Sequence, residues 1–121
     1  ETALSQADIQ AFAAVSGDTN PAHLDPVYAD ATMFHGVIAH GMWGGALISA
    51  VLGTRLPGPG TVYLGQTLRF ARPVRPGDLV VVSVEATAID AERGRATFAT
   101  RCRVAGKLVL DGEATVLLPP A

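Results

Sequence analysis

The stretch from Ile38 to Leu56 is the feature that most restricts how this chain can fold. It is almost free of charge and crowded with small residues: Gly41, Gly44, Gly45, Ala46, Ser49, Ala50 and Gly53. The glycines weaken helix propensity, yet the stretch is too long for one strand. A buried helix satisfies both facts, because missing side chains let neighbours pack closely against it. Pro57-Gly58-Pro59-Gly60 then ends the helix abruptly. Whatever fold the chain adopts must wrap that helix.

The wrapping material follows directly. After residue 60 the apolar period changes to two, with Val62, Leu64, Gln66, Leu68 and Phe70 opposed by Arg69. The same alternation runs through Val80, Val82, Val84, Ala86 and Ala88, after the turn Arg75-Pro76-Gly77-Asp78. It returns in Ala96, Phe98, Thr100, Cys102 and Val104, then in Leu108, Leu110, Ala114, Val116 and Leu118 beyond Ala105-Gly106-Lys107. Strands joined by short turns predict an antiparallel sheet with one covered face, and the helix at 38–56 is its cover. The fold class expected is α+β, as a single domain over residues 1–121 without repeat or linker. Sheet edges are rarely left bare, so a partner chain is expected, most simply in a symmetric dimer.

Ahead of this core, Ser5 and Asp8 predict a capped helix start, with Ile9, Phe12 and Ala13 at helical spacing and Gly17 as its stop. An irregular stretch is expected around Pro21, which disfavours helix at Asn20. Asp25-Pro26 then opens a short helix near Val27 to Ala31.

Net charge is −2, from nine basic and eleven acidic side chains. No face can be broadly basic on that balance, which argues against a nucleic-acid partner. No run approaches the roughly 18 apolar residues of a membrane span. Cys102 is the only cysteine. No intrachain disulfide is possible, and a reducing, cytoplasmic setting is expected. The chain starts at Glu1 without a methionine, as a piece of something longer would.

The unusual polar residues gather between residues 17 and 49: Asp18, Asn20, His23, Asp25, His35, His40 and Ser49. A histidine beside a carboxylate suits general acid/base work near neutral pH. Asp18 and His23, in a loop held by Pro21, are positioned to face one bound water. The alternative is an Asx turn that merely stiffens the loop. Gly41 stands at the expected N-terminus of the buried helix, where free N–H groups and the helix dipole hold negative charge. It serves either as an oxyanion site or only as a close-packing position. His40 is a cap, a core histidine or a catalytic one. Ser49 either bonds back to a main-chain carbonyl or reaches a ligand. Cys102, on the apolar face of a strand, reads as inert core. His23, Asp25, His35 and His40 match no zinc spacing, so no metal is expected. The glycines at 58 and 60 lack a phosphate-binding lysine.

Together, Gly17-Asp18-Thr19-Asn20-Pro21-Ala22-His23-Leu24-Asp25 and Ile38-Ala39-His40-Gly41-Met42 resemble the hydratase motif of the MaoC-like family of (R)-specific enoyl-CoA hydratases. The likeness continues through Leu56-Pro57-Gly58, Tyr63-Leu64-Gly65-Gln66, Pro73-Val74 and Gly77-Asp78. It implies a hot-dog fold, a curved antiparallel sheet wrapped around a long central helix, usually as a homodimer. It implies reversible hydration of a trans-2-enoyl-CoA to the (R)-3-hydroxyacyl-CoA, with Asp18 and His23 activating the water. The thioester carbonyl would be held by the main-chain N–H at Gly41, with Ser49 lining the pocket, His40 beside it and Asn20 supporting the loop. The substrate is an acyl-CoA thioester and no cofactor is implied. Family members carry a strand before the first helix, for which only Glu1 to Leu4 remain here. The stretch from Met33 to Thr61 also resembles a hydratase domain fused ahead of a phosphate acetyltransferase, so a longer fused chain is a further expectation. Two other functions stay open beside hydration. One is thioester hydrolysis on the same fold, which normally places a carboxylate at the start of the central helix. The other is a non-catalytic acyl-binding or dimerising module.

Overall fold

The computed structural model describes residues 1–120. Strand β1 (Thr2–Ala3) pairs antiparallel with Leu79 and Val80, so the strand expected to be missing is present in two residues. The main chain of Leu4 then bonds to Asp78 and Gly77. Ser5 and Asp8 form a reciprocal capping box that starts helix α1 (Gln6–Ser16). Gly17 ends it at φ 78°, in the left-handed region that favours glycine. Ile9 and Ala13 face inward.

The segment around Pro21 is less irregular than its sequence suggests. Pro21 bars helix at the residue before it but suits the first helical position. A one-turn helix α2 (Pro21–Leu24) forms there, with the Asn20 carboxamide oxygen accepting from the Ala22 N–H. Asp25 caps α3 (Pro26–Asp30) through the N–H groups of Val27 and Tyr28.

Helix α4 (Gly41–Thr54) is the glycine-rich stretch. Trp43, Ile48 and Leu52 are buried, while Met42, Ala46, Ser49 and Ala50 are exposed. The helix expected to be buried throughout is thus covered on one side only. Its inner side packs on strands β4 (Leu79–Asp90), β5 (Arg95–Val104) and β6 (Lys107–Leu117), burying Val80, Phe98, Cys102, Leu110 and Val116. Each such side chain withdrawn from water contributes about 1.5–3 kcal/mol.

The sheet runs β1-β4-β5-β6-β2, antiparallel throughout, where β2 is Val62–Gln66; β3 (Arg69–Phe70) also pairs with β6. Residues 62–70 therefore form two strands, not the single one their alternation suggests. The break falls where Thr67 crosses Gly112, whose absent Cβ would lie 1.8 Å from the Thr67 carbonyl oxygen. Thr67 is tied there by its N–H to the Glu113 carbonyl (2.9 Å) and by its hydroxyl oxygen, which accepts from the Glu113 N–H (3.0 Å). A second irregularity pairs Cys102 with Leu110 but Arg103 with Leu108, so Val109 is extra and both Val109 and Leu110 are buried. In β4 the alternation outlasts its cover, since Ala86 and Ala88 are exposed.

Candidate functional site

The loop after α1 is shaped by its own short polar side chains. The Asp18 N–H donates to the Ser16 hydroxyl (3.1 Å), and the Asn20 N–H donates to the Asp18 carboxylate (3.2 Å). Asp18 thus does make the stiffening turn that its sequence allows, yet it also stays exposed at the mouth of a cavity. His23 Nδ1 carries its hydrogen and donates to the Ile38 carbonyl at 2.7 Å, because a carbonyl oxygen only accepts. That leaves Nε2 of His23 without a hydrogen when the ring is neutral.

His40 ends the extended segment from Ile38, directly before α4. Its side chain makes no cap bond to the helix and is 3% exposed. Nε2–H of His40 donates to the Asp18 carbonyl (2.8 Å), and its ring stacks on His23 with centroids 4.0 Å apart. Phe12 of α1 packs on the other ring contact at 5.0 Å. Asp18, His23 and His40 each bring one carboxylate oxygen or ring nitrogen within 4.8 Å of the others. Among the described residues this is the one group close enough to share a metal ion. Sequence spacing did not reveal it, because 22 residues separate Asp18 from His40. His35 and Asp25, which the sequence grouped with them, lie elsewhere: Asp25 caps α3 and His35 sits in a turn at φ 54°.

No side chain caps α4 and no acidic residue stands in its first turn. Its terminal N–H groups and dipole are therefore available to a partial negative charge beside the Asp18–His23 pair. Gly41 is needed there: a Cβ would lie 2.8 Å from the ring of Phe70, which packs over this turn.

These groups line a cavity of about 470 Å³ that runs inward beneath α4. Trp43, Val80, Cys102 and Leu110 make its apolar floor, and Arg72 stands in its wall. Cys102 is inert, as its strand position suggested; it is 1% exposed and burial pushes its thiol up to about 11. Of the three arginines at positions 69, 72 and 75, Arg69 is paired with Asp111 (3.1 Å), which holds that carboxyl below its ordinary value. Arg75 donates to the Phe34 carbonyl, and Arg72 alone of the three borders the cavity.

Ser49 is the expected site residue that the fold keeps apart. It faces outward into a second, shallower groove with Ala46, Tyr63 and Gln66, and only Met42 borders both spaces. Phe70 and Val74 in the wall and Leu110 in the floor are lining residues that sequence reading did not pick out. Nothing in one sequence marks them, since strand alternation explains an apolar residue equally well without a cavity.

A carboxylate and an imidazole thus meet beside an uncapped helix N-terminus, above a largely apolar cavity, the kind of place where small-molecule sites form. Comparison with known proteins places the chain more narrowly. Residues 1–107 match the MaoC like domain, and the chain belongs to that family. It is 53% identical over 116 residues to the (R)-specific enoyl-CoA hydratase of Rhodospirillum rubrum, covering 96% of this chain and 81% of that protein. Identity is also 53% over 116 residues to the 3-hydroxybutyryl-CoA dehydratase of Methylorubrum extorquens, covering 96% and 74%. The solved (R)-hydratase from A. caviae involved in PHA biosynthesis superposes with a TM-score of 0.94 at 46% identity, covering 98% and 90%. The architecture is the hot-dog fold, a curled antiparallel sheet packed on its central helix. No described helix is long and apolar enough to cross a membrane.

Proposed function

We propose that this chain adds water across a trans-2-enoyl-CoA double bond to give the (R)-3-hydroxyacyl-CoA, and catalyses the reverse dehydration. The observation that carries the reading is the convergence of Asp18 and His23 at one cavity mouth, beside the uncapped N-terminus of α4. The thioester carbonyl accepts from the Gly41 N–H, which draws electron density from the double bond and makes the β-carbon electrophilic. Water held between the Asp18 carboxylate and His23 Nε2 gives up a proton as its oxygen bonds to that carbon. The enolate oxygen is stabilised at the helix N-terminus until the pair returns a proton to the α-carbon. In this reading Asp18 is the base and His23 its acid/base partner.

Asn20 holds the loop, and Ser49 meets substrate only where an acyl chain passes Met42 into the outer groove. Arg72 is the cation left for the phosphates of CoA. Thioester hydrolysis is disfavoured, since that chemistry wants a carboxylate at the start of the central helix and α4 has none in its first turn. We further propose a homodimer formed through β2, whose outer edge is unpaired among the described residues and whose Val62, Tyr63 and Leu64 are exposed. The free, buried Cys102 favours a reducing compartment, the cytoplasm.

The test is crotonyl-CoA hydration, followed by loss of the conjugated thioester absorbance and by the configuration of the product. The expected product is (R)-3-hydroxybutyryl-CoA. An (S) product, or release of free thiol, overturns the assignment.

A further inference from the structure

We propose that His40 is a positioning residue that sets the distance between Asp18 and His23, and not a group that touches substrate. The inference rests on the hydratase reading above and deepens it. Each member of the pair is anchored differently. His23 has its own long-range bond, from Nδ1 to the Ile38 carbonyl. Asp18 has only short-range bonds, to Ser16 and Asn20, apart from the one its carbonyl accepts from His40. Without that bond the stretch is held to the segment that carries Gly41 only farther along, by the Ile38 N–H to the Ala22 carbonyl and by His23 to the Ile38 carbonyl, and the Asp18 turn itself has no tie to it among the described residues.

The same ring also backs His23. Its stack at 4.0 Å fixes the plane in which His23 presents Nε2, while Phe12 and 97% burial keep His40 itself from moving. One buried imidazole therefore holds three parts in register: the Asp18 loop, the His23 ring and, one residue on, the start of α4. Nε2 donates to the Asp18 carbonyl and the ring packs on His23 and Phe12, while the buried Nδ1 has no partner among the described residues. Burying such an atom costs stability, so some other property of the ring must keep it there, and the donor–stack combination is what no aliphatic or amide side chain reproduces in full.

The test compares His40→Ala, His40→Gln and His40→Phe for crotonyl-CoA turnover, with butyryl-CoA as a competitive inhibitor that cannot be hydrated. Loss of positioning lowers kcat in the alanine variant about 10²-fold while KM and the butyryl-CoA inhibition constant stay within about threefold. Glutamine, whose amide can donate to the Asp18 carbonyl, recovers about a tenfold part of that loss; phenylalanine, which only stacks, recovers less. The proposal is overturned if kcat of the alanine variant stays within threefold of the unsubstituted protein, or if the inhibition constant rises in step with the loss. Phenylalanine matching or exceeding glutamine overturns it too, and that pair decides the matter even where the alanine variant does not fold. Asp18→Asn in the same assay separates the two readings: undiminished turnover there defeats the hydratase assignment whatever His40 does.

Discussion

The two sides of α4 are built from the same small residues and do different work. On the inner side, Gly44 lets Leu110 and the Cys102 thiol approach the helix, and the space left over is the cavity beneath Asp18 and His23. On the outer side, Gly45, Ala46 and Ser49 look across an open groove to Leu68 and β2. The first side is lined mostly by apolar groups and is the space in which the proposed reaction would take place. Openness on the second leaves Ala46 and Ser49 exposed. Small residues in a helix thus mean tight packing in one place and an unfilled socket a quarter-turn away.

The largest contrast between the sides is expected in turnover. Asp18→Asn and His23→Ala should each lower crotonyl-CoA hydration by roughly 10²–10⁴-fold with the fold intact, whereas Ser49→Ala should change it only a few-fold. Equal losses in steady-state assays would erase the division of labour. Next comes stability. Gly44→Leu forces a side chain into the space 2.8 Å from Leu110 Cδ2, and overpacking of that kind costs about 1–3 kcal/mol. Gly45→Leu meets the flexible ends of Leu68 at 3.2 Å and Met42 at 3.7 Å, and its gain in helix propensity of nearly 1 kcal/mol offsets much of the strain. Denaturant unfolding of the two variants measures the difference, and parity between them would show that the outer groove is as tightly filled as the inner.

Cys102 gives a finer probe of the inner side. Its thiol is pushed from 9.0 to about 11 by burial, so at pH 8 a thiol reagent should label the native protein about 10²-fold more slowly than the unfolded chain. The sign for stability follows. As pH rises above 9.0 the unfolded thiol ionises while the folded one keeps its proton until about 11. The unfolded state then binds fewer protons, and stability falls through that window. Rapid labelling below pH 9 would mean that the cavity floor opens readily. The smallest effect is expected on the exposed surface, where Arg69→Ala removes the pair with Asp111. Screened by solvent, that loss should leave melting close to experimental error and vanish in high salt.

How far the sequence carried this picture depends on the range of the forces involved. The α1 boundaries were legible because caps act locally: Ser5, Asp8 and Gly17 each mark their own turn. The extent of α4 was legible from its glycines and the proline break. The split of residues 62–70 was not, because its cause is Gly112, far along the chain. Nor was α2, where Pro21 acts on its neighbour and itself in opposite senses. Within the site, Asp18 and His23 could be picked out as chemistry held in one loop. His40 could not be assigned among cap, core and catalyst, since its partners are set by tertiary packing: the Asp18 carbonyl and the rings of His23 and Phe12. The exposure of Ser49 was hidden for the complementary reason. A hydroxyl in an apolar run looks buried until one knows which side of the helix is covered.

The crossing at Gly112 shows how far from the chemistry its geometry can be decided. A methyl group there would push on the Thr67 carbonyl, and Thr67 is joined through Leu68 and Arg69 to Phe70, the ring that lies over Gly41. One missing carbon atom in β6 therefore bears on the ring that roofs the Gly41 turn, the proposed carbonyl site. A substitution at Gly112 would register as an altered enzyme even though the residue lies outside the cavity wall, so the sensitive positions of this fold extend well beyond its site.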